Sequence, residues 1–153
     1  MYKVYQRFSE YKGFYTIKVN DMTYVGSCPR SQQDMNQLSK LGILSVISLQ
    51  CEDERDTAYD YPQHWTVLRI PTHDYSVSSC RDLKVASKFL RLQTQKNRKT
   101  YIHCRNGKGR SRSCAYFYLR ECGKCDESSI QMSKCFNNSQ LRKTRSMFNH
   151  SQK

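Results

Sequence analysis

The sequence of 153 residues contains no hydrophobic run long enough to span a membrane. Its most apolar stretch, ILSVISL at residues 43–49, is far shorter than the roughly 20 residues that a transmembrane helix requires. The first residues, MYKVYQRFSEYKG, contain no apolar segment of the kind that directs secretion. We therefore expect a soluble, cytoplasmic protein without a transmembrane segment.

Proline and glycine are also scarce, with three and six residues respectively. No low-complexity linker and no internal repeat divides the chain. A chain of this length with 37% hydrophobic residues is sufficient for one buried core. We expect residues 1–153 to form a single domain.

Acidic residues are few: the sequence has 13 Asp and Glu residues and 26 Lys and Arg residues. The formal net charge is therefore +13. This balance favours an anionic partner or substrate, such as a phosphate group, an acidic lipid surface or a nucleic acid. Charge alone does not choose among these classes.

Cysteine is abundant, with eight residues. Without a secretion signal, we expect these thiols to be reduced and not to form a disulfide framework. The motif CGKC places Cys122 and Cys125 at a zinc-like spacing, and Cys135 and His150 could complete four ligands. No second C-x2-C follows, so we expect a turn here and no metal.

The sequence predicts five short strands, which are apolar or alternate apolar with polar residues and are bounded by turn residues. They lie in GFYTIKVNDMTYVGS at 13–27, which holds two strands, in ILSVISLQ at 43–50, in TVLRI at 66–70, and in TYIHC at 100–104.

Helices are predicted between and after these strands, where apolar residues recur every three or four positions. They are Ser31–Leu41 with Gly42 as its stop, 80–93, 111–122, Glu127–Phe136 and Ser139–Phe148. Strands that alternate with helices favour an α/β domain, with a central mixed, mostly parallel sheet of four to five strands flanked by helices.

Residues 101–112, YIHCRNGKGRSR, place a thiol between a strand and a loop that is rich in glycine and positive charge. The glycines allow successive backbone N–H groups to converge, and the helix that follows adds the positive end of its dipole. This arrangement is typical of an anion site. The predicted phosphate-binding residues are Arg105, Asn106, Gly107, Lys108, Gly109 and Arg110.

Cys104 is the predicted nucleophile. A thiol beside a helix N-terminus and nearby cations ionises readily, so we expect a thiolate at neutral pH. The planar guanidinium of Arg110 can hold two phosphate oxygens at once. The alternative is a structural cysteine at an ordinary strand–turn–helix junction, but the combination with both glycines, Arg110 and the Ser111 hydroxyl favours catalysis.

HCRNGKGRS at 103–111 resembles the HCxxGxxR[ST] signature of the cysteine-dependent protein tyrosine phosphatase superfamily. The order of elements between residues 20 and 135 resembles the small, atypical dual-specificity branch. The resemblance implies the dual-specificity phosphatase fold, one catalytic domain over residues 1–153, a phosphocysteine intermediate and no cofactor. It also implies that Ser111 hydrogen-bonds the departing thiolate and that His103 supports the loop.

Asp74 is the predicted general acid. It lies in PTHDYSVSS after a strand, 30 residues before Cys104, and the family resemblance implies an acid in an equivalent loop. Such an acid protonates the leaving oxygen. Asp60 and Asp82 are weaker candidates, and a turn or capping role for Asp74 is the alternative.

The expected substrate is a phosphorylated protein, dephosphorylated at Tyr and at Ser or Thr. Phosphoinositides or other lipid phosphates come second, because CRNGKGR resembles the CKAGKGR loop of lipid phosphatases and carries Arg105 and Lys108. The basic C-terminal residues would suit peripheral contact with an acidic membrane surface. A glucan phosphatase, an RNA 5′-phosphatase and a non-catalytic phospho-binding module rank lower, and nucleic acid is not favoured.

Three further features concern regulation and departures from the family. Some lipid phosphatases place a cysteine in a segment similar to that around Cys51, which implies a reversible disulfide between Cys51 and Cys104. Arg112 stands where the family commonly has a small residue, which indicates a reshaped pocket rim. The Arg-Pro motif often found before the last helices is missing.

Overall fold

The computed structural model describes residues 11–51, 60–123 and 142–147. Its five strands are β1 (Thr16–Asn20), β2 (Thr23–Gly26), β3 (Ile43–Ser48), β4 (Thr66–Arg69) and β5 (Lys99–His103). They form one sheet in the order β1-β2-β5-β3-β4. β1 is antiparallel to β2, and the other neighbouring pairs are parallel. The predicted mixed, mostly parallel sheet is confirmed.

The helices of the described part are α1 (Gln32–Lys40), α2 (Cys80–Gln95), α3 (Arg110–Glu121) and a helical stretch at residues 142–147. The first three confirm the predicted helices to within two residues. Residues 142–147 lie inside the predicted helix Ser139–Phe148. The predicted helix Glu127–Phe136 lies outside the described residues.

The local signals at the ends of α1 act as the sequence predicts. The Ser31 side chain accepts a hydrogen bond from the Asp34 backbone N–H at 3.0 Å. This bond satisfies one of the N–H groups in the first turn that have no hydrogen-bond partner within the helix. Gly42 follows the helix with φ of 84°, a left-handed conformation that glycine adopts without strain.

Two apolar clusters lie on opposite faces of the sheet, because successive side chains of a strand point to opposite sides. On one face Val25, Ile47 and Ile102 pack with residues of α2 and α3. On the other face Tyr24, Val46 and Tyr101 pack with Met35 and Leu38 of α1. Helices thus cover both faces, and each fully buried aliphatic side chain contributes roughly 1.5–3 kcal/mol.

Helix α3 is buried along almost its whole length, with every residue from Arg110 to Leu119 in the interior. It packs against α2 and β5. Because both neighbours hold it, the N-terminus of α3 is fixed relative to the end of β5.

Within the described ranges, no helix combines the length and the apolar content needed to cross a bilayer.

Candidate active site

The predicted site residues lie at the carboxyl edge of the sheet. Gly26 of β2 and Ser48 of β3 both pair with His103 of β5 in parallel register, so these three strands end together. Cys104 follows β5 directly, and Asp74 lies in the loop after β4. In open α/β sheets this edge is where ligands bind.

The thiol of Cys104 is 3% exposed and lies inside the loop. Its Sγ accepts a hydrogen bond from the Gly107 backbone N–H at 3.2 Å. Sγ also lies 3.3 Å from Oγ of Ser111, to which the neutral thiol donates. After ionisation the hydroxyl donates to the sulfur, so two donors surround a thiolate.

Arg110 is the first residue of α3, and its side chain is buried. Nη1 donates to the Thr72 carbonyl oxygen at 3.0 Å, and Nη2 lies 3.4 Å from Oδ1 of Asp74. The same Asp74 oxygen accepts a hydrogen bond from the Tyr75 backbone N–H at 2.9 Å. The predicted general acid and the predicted phosphate-binding arginine are therefore in direct contact.

The weaker acid candidates lie elsewhere. Asp82 is in the first turn of α2, where its backbone N–H donates to the capping Ser79 side chain at 3.1 Å. Asp60 is exposed on the stretch that precedes β4.

The start of α3 adjoins the phosphate loop. Its N-cap residue, Gly109, has no side chain that could cap the first turn. Helix N-termini of this kind bind anions through their backbone N–H groups. In the preceding loop Asn106 and Gly107 are buried, Arg105 is half-buried and Lys108 is exposed.

His103 lies beneath the loop and is fully buried. Its Nδ1 is 3.3 Å from the Cys104 carbonyl oxygen, and the Tyr61 hydroxyl contacts Nε2. Burial is the main cause that lowers the pKa of His103 to about 4. The neutral ring therefore donates from Nδ1 to the carbonyl and accepts at Nε2 from Tyr61.

Sequence reasoning missed several residues that hold the loop. Arg112 is not on the rim; it is buried, and its Nε donates to the Gly107 carbonyl oxygen at 2.7 Å. The Tyr15 hydroxyl donates to the Asn106 carbonyl oxygen at 2.7 Å. Gly26 packs against Gly107. Only the unusual arginine at 112 gave a signal in the sequence, since the other contacts join distant segments.

Cys51 is half-buried next to the loop that carries Asp74, with its Sγ 3.8 Å from Nδ1 of His73. All cysteines of the described part are free thiols. The disulfide between Cys51 and Cys104 stays a prediction.

The CGKC motif falls only partly within the described residues. Cys122 is an exposed free thiol, and Cys125, Cys135 and His150 lie outside the described residues. In the stretches that the structure covers, no three His, Cys, Asp or Glu side chains are grouped to hold a metal ion.

Comparison with known proteins finds relatives among curated sequences, and one of them is a lipid phosphatase. Phosphatidylglycerophosphate phosphatase PTPMT2 of Arabidopsis thaliana is 32% identical over 111 residues, which cover 68% of this chain. The match spans 46% of that relative, so this chain corresponds to less than half of its length.

Solved structures share the fold. The human tyrosine phosphatase-like serine/threonine/tyrosine-interacting protein has a TM-score of 0.77 at 16% identity, covering 90% of this chain and 98% of that one. PTPMT1 in complex with PI(5)P has a TM-score of 0.74 at 18% identity, covering 88% and 95%. At these identities the likeness establishes the fold and no more.

A family model described as the DSP-PTPase phosphatase domain of Swiss Army Knife proteins matches residues 16–153. The match includes the strand, loop and helix that carry Cys104, and it covers most of the chain. The chain therefore belongs to the small, atypical dual-specificity branch of the cysteine-dependent protein tyrosine phosphatase superfamily.

Proposed function

We propose that the chain, as one catalytic domain, hydrolyses phosphate monoesters through a phosphocysteine intermediate at Cys104. The observation that carries this proposal is the position of the Cys104 sulfur, 3.2 Å from the Gly107 N–H and 3.3 Å from the Ser111 hydroxyl. Both groups stabilise a thiolate, and the positive end of the α3 dipole attracts the phosphate to the same loop.

The reaction has two steps. The Cys104 thiolate attacks phosphorus, the S–P bond forms and the bond to the ester oxygen breaks, while protonated Asp74 gives its proton to that oxygen. The Asp74 carboxylate then takes a proton from water, whose oxygen attacks phosphorus. The S–P bond breaks, and Ser111 donates a hydrogen bond to the sulfur as its charge returns.

Arg110 couples substrate binding to the acid. Without substrate, its guanidinium holds the Asp74 carboxylate at 3.4 Å. A phosphate dianion offers two oxygens and forms a stronger, bidentate pair with the same guanidinium. Binding of phosphate therefore competes with Asp74 and frees its carboxylate, which takes up a proton from solvent and turns toward the leaving oxygen.

The first substrate class in this proposal is a lipid phosphate monoester. The curated relative is a phosphatidylglycerophosphate phosphatase, and PTPMT1 is seen in complex with PI(5)P. The half-buried Arg105 and the exposed Lys108 supply cations next to the phosphate site for further anionic groups of a lipid headgroup.

A dual-specificity protein phosphatase is the second candidate. Membership of the dual-specificity branch supports it, because that branch is named for action on phosphotyrosine and on phosphoserine or phosphothreonine. The two candidates share the chemistry at Cys104. They differ only in the group that carries the phosphate, a lipid headgroup or a protein side chain, which must fit at the rim of the loop.

The test is a parallel assay of the wild-type chain, Cys104→Ser and Cys122→Ser. Substrates are an aryl phosphate, phosphatidylglycerophosphate and PI(5)P in vesicles, and phosphotyrosine and phosphothreonine peptides. We expect turnover by the wild type and by Cys122→Ser, whose exposed thiol lies at the C-terminal end of α3. Cys104→Ser should lose turnover and keep phosphate binding, and hydrolysis by this variant would refute the nucleophile. Turnover of peptides alone would reverse the order of the two candidates.

A further inference from the structure

Three consecutive carbonyl groups of the phosphate loop are held from outside. The Arg105 carbonyl oxygen accepts a hydrogen bond from the Cys28 backbone N–H at 3.1 Å. The Asn106 carbonyl accepts from the Tyr15 hydroxyl at 2.7 Å, and the Gly107 carbonyl accepts from Nε of Arg112 at 2.7 Å. The first of these is a backbone contact that continues the pairing of β2 with β5, whereas the other two come from side chains.

Each carbonyl shares a planar peptide unit with the N–H group of the next residue. In a trans peptide the C=O and N–H bonds point in opposite directions, and the described chain contains no cis peptide bond. A donor that holds the carbonyl on the outside therefore directs the N–H to the inside. Tyr15 orients the N–H of Gly107 in this way, and that N–H points at the Cys104 sulfur at 3.2 Å. Arg112 orients the N–H of Lys108 by the same geometry.

Tyr15 and Arg112 are also linked to each other. Nη2 of Arg112 donates to the Tyr15 hydroxyl oxygen at 3.2 Å, while the same hydroxyl donates its proton to the Asn106 carbonyl. The two side chains thus hold adjacent peptide units as one connected set. Arg112 is 6% exposed, and a buried guanidinium is tolerated only when hydrogen bonds replace its water. The loop carbonyl and the tyrosine supply such bonds.

The backbone that carries Arg112 does not move easily. Arg112 lies in the first turn of α3, two residues after Arg110, and the following residues of α3 are buried as far as Leu119. Tyr15 directly precedes β1, and its own backbone N–H is held by the Ser27 side chain at 2.9 Å. Both donors therefore act from elements that are anchored independently of the loop.

We propose that Tyr15 and Arg112 are positioning residues that orient the inward N–H groups of the phosphate loop. The inference rests on the proposed function, since it assumes that these N–H groups hold the phosphoryl oxygens. It accounts for a large arginine at the position where the family commonly has a small residue. Donors fixed in advance toward developing charge are a main source of catalytic acceleration.

The test uses Tyr15→Phe, Arg112→Met and the double variant. Ser45→Ala and Arg98→Met are matched controls, because each removes buried or half-buried hydrogen bonds elsewhere: Ser45 bonds to Thr100 at 2.6 Å, and Arg98 bonds to the Leu44 carbonyl at 2.8 Å. The first readout is the affinity for inorganic phosphate by calorimetry, which does not depend on turnover. We expect roughly a tenfold loss for Tyr15→Phe and a larger loss for Arg112→Met, and little change for the controls.

The second readout is steady-state hydrolysis of an aryl phosphate. We expect kcat/KM to fall by more than phosphate affinity, because the loop donors matter most in the transition state. The double variant should lose less than the product of the two single losses, because the residues share a hydrogen bond. Arg112→Lys should lose less than Arg112→Met, because the lysine ammonium can still donate to the Gly107 carbonyl. It cannot reproduce the two-pronged guanidinium geometry that also binds Tyr15.

The outcomes separate this proposal from the proposed function. If the wild type turns over substrate and both single variants keep phosphate affinity and kcat/KM, the positioning role is wrong and the function stands. If no ester is hydrolysed but the variants lose phosphate affinity, the positioning role stands and the function is wrong. Equal losses of phosphate affinity and kcat/KM in the variants and the controls would mean that the substitutions only destabilise the fold, and this result would overturn the proposal. A wild type that neither binds phosphate nor hydrolyses an ester would overturn both.

Discussion

The backbone of Gly107 packs directly on the backbone of Gly26. A β-carbon at position 107 would stand 2.4 Å from the Gly26 carbonyl carbon and 2.6 Å from its oxygen. Gly107 also has φ of 72°, in the left-handed region. The phosphate loop therefore packs directly on the end of β2, and there is no space for a side chain between them.

Gly107→Ala should disrupt the loop, because the methyl group meets backbone that cannot rotate away. We expect a loss of kcat/KM on the order of a hundredfold, typical of small misplacements at an active site. Gly123→Ala is the matched control: φ is 74°, but nothing lies within 4 Å of its β-carbon. It should lose about 1–2 kcal/mol of unfolding free energy and keep its activity. Urea unfolding and kinetics measure both, and full activity in Gly107→Ala would contradict the contact.

Asp74→Asn should lower the rate of hydrolysis by a factor that depends on the leaving group. An amide cannot donate the proton that an alkoxide needs, so hydrolysis of an alkyl phosphate should fall by about 10²–10⁴-fold. An acidic phenol leaves without help, so its phosphate ester should lose little. Asp82→Asn, which changes a carboxylate in the first turn of α2, is the control. A uniform loss over all leaving groups would assign the acid role elsewhere.

The buried His103 should make folding sensitive to mild acid. Its pKa is lowered to about 4, so between that value and the ordinary pKa of about 6.5 the unfolded chain binds a proton that the folded chain does not. This contribution to stability is present above about pH 6.5 and is lost as the pH falls toward 4. The loss should reach about 3 kcal/mol of unfolding free energy by pH 4.

Urea unfolding as a function of pH tests this contribution. His103→Gln should remove its share of the pH dependence, although it also removes the bond to Tyr61 and lowers stability at pH 7. His64→Gln, which changes a histidine at an exposed position, is the control. Identical slopes for the wild type and His103→Gln would disprove the role of His103.

Thiol labelling should separate the cysteines by environment. Burial raises the pKa of Cys28 and of Cys114 to about 12, so both stay protonated and unreactive toward iodoacetamide at pH 7. Cys104 should react first, because its sulfur already has two hydrogen-bonding partners for the thiolate. Inorganic phosphate should slow labelling of Cys104 and leave the exposed Cys122 unaffected. Mass spectrometry after brief labelling gives the order, and Cys28 reacting before Cys104 would count against the site.

Mild peroxide should produce a disulfide between Cys51 and Cys104. Peroxide converts the Cys104 thiolate to a sulfenic acid, and attack by the Cys51 thiol then forms the S–S bond and releases water. Activity should return with a thiol reductant in the wild type but not in Cys51→Ser, where oxidation proceeds further. Cys122→Ser should behave as the wild type. Peptide mapping that finds neither residue cross-linked would remove this prediction.

The parts of the fold that depend on neighbours in sequence were predictable. Ser31 caps α1 and Gly42 follows it because the capping bond and the left-handed turn each involve only a few adjacent residues. The strands and the three longer helices follow from apolar periodicity for the same reason. The signature around Cys104 is contiguous as well, so the thiol, the loop and the start of α3 could be placed together from the sequence.

Contacts between distant segments were not predictable from one sequence. Arg112 looked like a rim residue because the sequence shows that its residue type departs from the family pattern but does not show where its side chain points. Only the packing of α3 turns it inward to the Gly107 carbonyl. The contact of Tyr15 with Asn106 joins residues 91 positions apart, and no local pattern encodes that distance.

The sequence by itself determined the local elements, the excess of positive charge and the thiol–loop–arginine order that identifies the family, because each depends on residue type or short-range spacing. The tertiary structure decided which outside groups hold the loop, and it brought Asp74 to the guanidinium of Arg110. Parallel strands end at a common edge, and the residues that meet there are set by how β2, β4 and β5 are ordered in the sheet. That order is a property of the whole packed chain.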